Sequence, residues 1–202
     1  MKYMIVYGDE PMEPILAITE PVNRAYCATR GYRFCRFSGR QIPDRHVFYE
    51  KSYAICQLLD SIEEGAFIAA LDADAMVTDF NQSLINGIEP VTDIAMRKVR
   101  NGTVYNAGVI LFHNSAEIRR FFKTVYETGE PPADCGIPDC GYDEQTMLWI
   151  KPQFPLLQWA DLDAKYNEFQ PLQTEYIFHA GLRSIPDKIL LLKLAQQTIR
   201  GV

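Results

Sequence analysis

Two aspartates, Asp72 and Asp74, close the apolar run Phe67-Ile68-Ala69-Ala70-Leu71. A continuous apolar stretch of strand length predicts a buried strand over 66–71. The abrupt Asp72-Ala73-Asp74 then sets two carboxylates at its carboxyl end. In open α/β sheets ligands gather outside the carboxyl ends of the strands. Two carboxylates held there repel each other unless they share a cation, and hard oxygen donors suit Mg2+ or Mn2+. The plain alternative is a strand ending in a solvated acidic turn. Lys51 adds weight to the metal reading. It lies midway between Val47 and Ile55 on the stripe Val47, Ile55, Leu58, Ile62 of a helix expected over 47–62. A lysine on a core-facing stripe needs an anionic partner or must reach outward to water. That helix leads directly into the aspartate strand, so the aspartates or a bound phosphate are natural partners.

Other residues could join them. Tyr105-Asn106-Ala107-Gly108-Val109 opens a strand expected over 104–112, and a glycine there permits close approach of a ligand. Asp143-Glu144-Gln145 opens a short helix over 143–150; carboxylates in a first turn also serve simply as partners of the helix dipole. His179 follows a short strand over 176–178 and precedes Ala180-Gly181; a single histidine in such a setting is most often structural.

The elements that must position these groups alternate. A strand spans 2–7, ending at Tyr7-Gly8. Thr19-Glu20-Pro21 reads as a cap with proline in the first turn of a helix that runs to Gly31. A strand follows over 32–37 and a loop over 38–45, before the Lys51 helix. Beyond the aspartates come strands over 93–97 and 104–112. A helix capped by Asn114 or Ser115 buries Ile118, Phe121, Phe122 and Val125. An irregular loop spans 129–141, and a terminal amphipathic helix spans 187–200. The β-α-β-α-β alternation of the first half predicts an α/β fold with a mostly parallel sheet wrapped by helices.

The chain has 202 residues, of which 48% are hydrophobic and 23% charged, so one globular domain over 1–202 is expected rather than a disordered chain. Its 20 basic and 26 acidic residues leave a net charge of −6, which argues against nucleic acid as a partner. An anionic ligand would need a metal or a few placed cations. No apolar run is long enough to span a membrane, and the N-terminal apolar run is too short for a secretion signal. The five cysteines are odd in number and scattered. Cys135 and Cys140 are close enough to bridge or share a metal, but free thiols in a reducing compartment are the simpler expectation, which points to the cytoplasm.

Taken in order, these blocks resemble the GT-A fold nucleotide-sugar glycosyltransferases, above all the glycogenin-like group (family 8) and the α-galactosyltransferase group (family 34). Asn23-x-x-Tyr26 with Gly31-Tyr32 resembles their early helix-to-strand signature. Lys51 followed by Leu71-Asp72-Ala73-Asp74-Ala75 resembles the donor-contacting lysine and the Asp-x-Asp metal motif. Tyr105-Asn106-Ala107-Gly108-Val109 is similar to the strand lining the donor sugar. Glu144-Gln145 resembles an Asp-Gln pair, and Tyr166-Asn167 and Phe178-His179-Ala180-Gly181 resemble the late Tyr-Asn and His-x-x-Gly segments. The resemblance implies that Asp72, Asp74 and His179 hold Mn2+ or Mg2+ on a diphosphate. It implies that Lys51, Asn106 and Gly108 face the donor sugar, and that Tyr7 and Gly8 line the nucleobase pocket. Glu144 and Gln145 would sit near the anomeric carbon or the acceptor, with Asp143 beside them. Two departures stand out. The pair carries Glu where Asp is usual, and no Lys-Pro-Trp-like phosphate grip follows the histidine, where Arg183 and Lys188 are the nearby cations.

The expected function is metal-dependent transfer of a sugar from a nucleotide-diphosphate donor, a UDP-sugar by resemblance, to a hydroxyl acceptor, with retention. A non-catalytic nucleotide-sugar-binding module is one alternative. A haloacid-dehalogenase-type phosphatase is another, although Met76 stands where that motif wants Thr or Val. The terminal helix, rich in leucine over 190–194, could pack on the domain or on a second chain.

Overall fold

A computed structural model describes residues 1–100, 102–138, 141–172, 175–181 and 183–201. The strands are β1 (Lys2–Tyr7), β2 (Arg33–Phe37), β3 (Phe67–Asp72), β4 (Ala75–Val77), β5 (Ile94–Val99), β6 (Val104–His113), β7 (Trp159–Asp161) and β8 (Ile177–His179). The helices are α1 (Glu13–Arg30), α2 (Tyr49–Ser61), α3 (Ala116–Thr128), α4 (Tyr142–Ile150) and α5 (Ile185–Gln196). Six strands form one sheet in the order β2-β1-β3-β6-β5-β7, and β4 pairs with β8 in a small second sheet. The β1–β2, β1–β3 and β5–β7 pairs are parallel; β6 is antiparallel to both β3 and β5, so it runs against the other five.

The pleat sorts side chains by period two. Tyr3, Ile5, Ile68, Ala70, Ile110 and Phe112 enter the core built with α2, α3 and α4, whereas Met4, Val6, Ala69, Leu71 and Leu111 enter the core built with α1. Burial on both faces explains why β3 reads as a continuous apolar run. Helix α5 packs outside α1: Leu192 and Ala195 bury against Ile15, Met76 and Phe178. Its Leu190 stays 60% exposed.

Helix α1 begins six residues before the expected cap. Pro14 sits in its first turn, and Pro21 lies inside it. The buried Ile15, Leu16 and Thr19 drive that extension, outweighing the hydrogen bond an internal proline gives up. Thr19 is no cap, because its hydroxyl donates to Ala73 O at 2.7 Å. The expected end holds: Gly31 closes the helix in the left-handed conformation, φ 68°. Ser115 caps α3 by accepting from Ile118 N. Helix α5 starts at Ile185, behind a Ser184 cap that accepts from Asp187 N. Strands β4 and β7 were not expected; three residues each are too few to show a period. Among the described residues, no helix is long and apolar enough to cross a membrane.

Candidate active site

The carboxyl ends of β1 and β3 lie side by side, with Tyr7 opposite Asp72 in the parallel register. Past Asp72 the chain turns into β4, whose pairing with β8 sets Ala75 opposite His179. One ligand atom each from Asp72, Asp74 and His179 therefore falls within 4.8 Å of the others. His179 Nε2 lies 3.2 Å from Asp74 Oδ1 and 3.5 Å from Asp72 Oδ2.

A polar chain orients that imidazole. Asn106 Oδ1 accepts from Gly108 N at 3.1 Å and from Asn167 Nδ2 at 2.6 Å. With its amide so turned, Asn167 presents Oδ1 to His179 Nδ1 at 2.9 Å. Nδ1 is thereby assigned a proton, and Nε2 faces two carboxylates; with a metal in place of its own proton, Nε2 has the arrangement of a metal-ligating histidine with its orienting partner. Three acceptors converge on one point, a donor set that fits a divalent ion such as Mn2+ or Mg2+. Gly108 is obligatory here for space: a Cβ on it would stand 2.1 Å from His179 Cε1.

Cations and carboxylates alternate around this point. Lys51 Nζ contacts Asp72 Oδ1 at 2.6 Å, donates to Ala107 O at 2.8 Å, and lies 3.6 Å from Asp143 Oδ2. Burial disfavours its charge, but Asp72 and Asp143 outweigh that and raise its pKa above the usual lysine value. Burial would raise the Asp74 carboxyl too, yet His179 and an ion pair with Lys188 hold it well below the usual carboxylate range. Asp143 is raised, burial and neighbouring Asp72 outweighing Lys51. Among the described residues its buried Oδ2 has no hydrogen-bond partner, although Lys51 Nζ lies 3.6 Å away. Burial, then Asp143, push Glu144 up to about 8, although its Oε1 accepts from Ala107 N at 2.7 Å and Asn106 Nδ2 at 3.1 Å.

These groups line one open cavity of about 980 Å³, a volume at the upper end for small-molecule sites. Tyr7, Gly8, Lys51, Asp72, Asp74, Asn106, Asp143, Glu144 and His179 all face it. Gly108 supports it from behind His179. Gln145 does not join them: its side-chain amide donates to Ile137 O at 3.2 Å, tying α4 to the preceding loop. Asp143-Glu144, one step earlier than the expected Glu-Gln pair, is what the helix turns inward. Sequence reasoning also passed over Phe48, Tyr142 and Phe169 as lining residues. Arg183 and Lys188 line it too, despite their poor match in spacing. Among the described residues Cys135 has no disulfide partner, and Cys140, close enough in sequence to bridge with it, lies outside them.

No protein-family model and no curated protein sequence matches the chain. Solved structures do match it. A glycosyltransferase involved in glycosylation of the major capsid of PBCV-1 superposes with TM-score 0.77 at 17% identity, over 96% of this chain and 100% of that one. Galactosyltransferase LgtC, solved with donor and acceptor sugar analogues, gives 0.56 at 15% identity, over 99% and 97%. A mutant Drosophila β1,4-galactosyltransferase 7, solved with manganese, UDP-Gal and xylobiose, gives 0.50 at 13% identity, over 91% and 71%. At these identities the likeness is one of architecture: the chain has the α/β fold of these glycosyltransferases.

Proposed function

We propose that the chain is a single-domain, metal-dependent glycosyltransferase that moves a sugar from a nucleotide-diphosphate donor, a UDP-sugar, to a hydroxyl acceptor. The observation that carries this reading is the convergence of Asp72, Asp74 and an oriented His179 Nε2 at the strand ends, inside a cavity large enough for such a donor. The fold likeness to glycosyltransferases solved with UDP-Gal, manganese and sugar analogues supports it. Grouping with families 8 and 34, and retention of configuration, rest on the motif resemblance.

Asp72, Asp74 and His179 would hold Mn2+ or Mg2+, which when bound neutralises the leaving diphosphate. Lys188 and Arg183 line the same wall and supply further positive charge to it. An acidic chain can thus take an anionic donor. Tyr7 and Gly8 line the side assigned to the nucleobase. Lys51 holds Asp72 in place and stands beside Asp143, and so acts on the donor through them. Asn106 both orients Asn167 and steadies Glu144, which couples the metal side of the cavity to its carboxylate side. The Oδ2 of Asp143, without a hydrogen-bond partner among the described residues, can accept from a sugar hydroxyl. Glu144 sits near the anomeric carbon by the motif resemblance, where its carboxyl, once ionised, stabilises positive charge that develops in an oxocarbenium-like transition state. Gln145 is assigned to holding the loop, not to the anomeric centre.

The test is UDP release from UDP-galactose or UDP-glucose. The reading expects release with Mn2+ and its loss in excess EDTA, restored by added Mn2+. Release that is indifferent to EDTA contradicts it.

A further inference from the structure

The cavity carries an aromatic group beside the residues assigned to the donor. Phe48 and Tyr142 both line it, and both are unusually open for large rings, 40% and 41% exposed. His46 joins them: it stacks on Tyr142 with centroids 3.8 Å apart and planes 16° from parallel, and meets Phe48 edge-on at 4.6 Å. The rings come from two separate elements. His46 and Phe48 precede α2, and Tyr142 opens α4. The Tyr49 hydroxyl fastens the two together by donating to Tyr142 O at 3.0 Å. The group is therefore built across two elements, with two partly exposed rings lining the cavity.

Its position separates it from the donor's charged end. Lys188 and Arg183 stand on the α5 side, near Asp74. Tyr142 is instead the chain neighbour of Asp143 and Glu144, on the side of α2 and α4. An anionic diphosphate belongs by the cations and the metal ligands, which leaves the transferred sugar toward Glu144 and the rings beyond it. Exposed aromatic surface beside converging polar groups marks a ligand site. A ligand that offers an apolar C–H face together with hydroxyls matches both halves, and a pyranose ring is such a ligand.

Resting on the glycosyltransferase reading, we propose that Phe48 and Tyr142, braced by His46, form the acceptor subsite and that the acceptor is itself a sugar. A hydroxyl of that sugar attacks the anomeric carbon. The new C–O bond forms as the bond to the diphosphate breaks, UDP carries away the electron pair, and the hydroxyl proton leaves to the departing diphosphate or to water.

The experiment measures transfer from UDP-galactose and UDP-glucose with Mn2+ to p-nitrophenyl glycosides of glucose, galactose and N-acetylglucosamine. Serine- and tyrosine-containing peptides run in parallel, and UDP affinity is followed by calorimetry with Mn2+. The proposal expects a pyranoside to accept. Phe48→Ala and Tyr142→Ala should each raise the acceptor KM roughly tenfold, the range an aromatic contact supplies, with UDP affinity within about twofold of wild type. Phe48→Trp should restore the acceptor KM. An unmoved acceptor KM in both alanine variants overturns the proposal. So does a fall in UDP affinity in its place, which makes the rings a nucleobase seat, and so does transfer to peptides but to no pyranoside. A wild-type protein that binds no UDP with Mn2+ removes the glycosyltransferase reading, and the subsite with it; intact UDP binding with an unmoved acceptor KM removes the subsite alone.

Discussion

Lys51 holds three groups at once: the Asp72 carboxylate, the Ala107 carbonyl and, more loosely, Asp143. Lys51→Met leaves a buried carboxylate uncompensated, and removing one partner of a buried pair is strongly destabilising. Urea unfolding of that variant should show a loss of about 3 kcal/mol, less than a fully buried pair would give because Asp72 is partly open to water. Gly108→Ala tests a steric claim instead. A methyl group cannot share space with the His179 ring, so Mn2+ affinity by calorimetry should fall at least about tenfold, the usual effect of disturbing a ligand's support. Glu144 supplies a pH signature. Its carboxyl ionises near 4.5 in the unfolded chain and about 8 in the fold. Between those values the fold keeps a proton that the unfolded chain releases, so this group's contribution to stability falls as pH rises through the window and levels off above it. Glu144→Gln removes the titration. Its unfolding free energy relative to wild type should therefore climb by on the order of 2 kcal/mol from about pH 5 to about pH 8.5. At this scale Asp72, Asp74 and Lys51 were readable in the sequence because their signal is local: apolar runs that end in, or contain, a charge. Asn167 as the partner of His179 Nδ1 was not, because that contact depends on two segments meeting across β8. Nor was the inward turn of Asp143-Glu144 over Gln145, because a helix phase cannot be set from three polar residues.

Among the elements, strong periodicity was the reliable guide. The stripe Ile118, Phe121, Phe122, Val125 lies fully buried in α3, as its spacing required, and Ser115 caps that helix. Ser115→Ala removes an N-cap and should cost about 1 kcal/mol in thermal or urea unfolding, with Mn2+ affinity unaffected. Thr19-Glu20-Pro21 misled for a physical reason. A proline marks a first turn only when nothing upstream buries, and here Ile15 and Leu16 do. The short β4–β8 pair, missed in part, sets Ala75 opposite His179. It is the device that brings His179 to the aspartates, although 104 residues of chain lie between Asp74 and His179 by their numbers.

The whole molecule gathers charges of both signs around one cavity: α5 and its approach bring Lys188 and Arg183, and α4 brings Asp143 and Glu144. The parallel β2-β1-β3 half follows from the β-α-β alternation and was expected. The reversed β6 was not, since strand direction is set by connections and pairing that a residue pattern does not encode. The net charge of −6 argues against nucleic acid and asks a metal or placed cations of any anionic ligand; Asp72, Asp74 and His179 converge on a point that could hold such a metal. Mn2+ and UDP supplied together should accordingly raise the melting temperature more than the sum of their separate shifts, since a ligand that binds only the fold stabilises it by mass action. The most direct test is a Mn2+ titration of UDP release from a UDP-sugar, wild type against Asp74→Asn. Saturable release by the wild type, with the variant needing at least about tenfold more Mn2+ or showing no release, is the predicted result. Release by the variant along the wild-type curve contradicts the account.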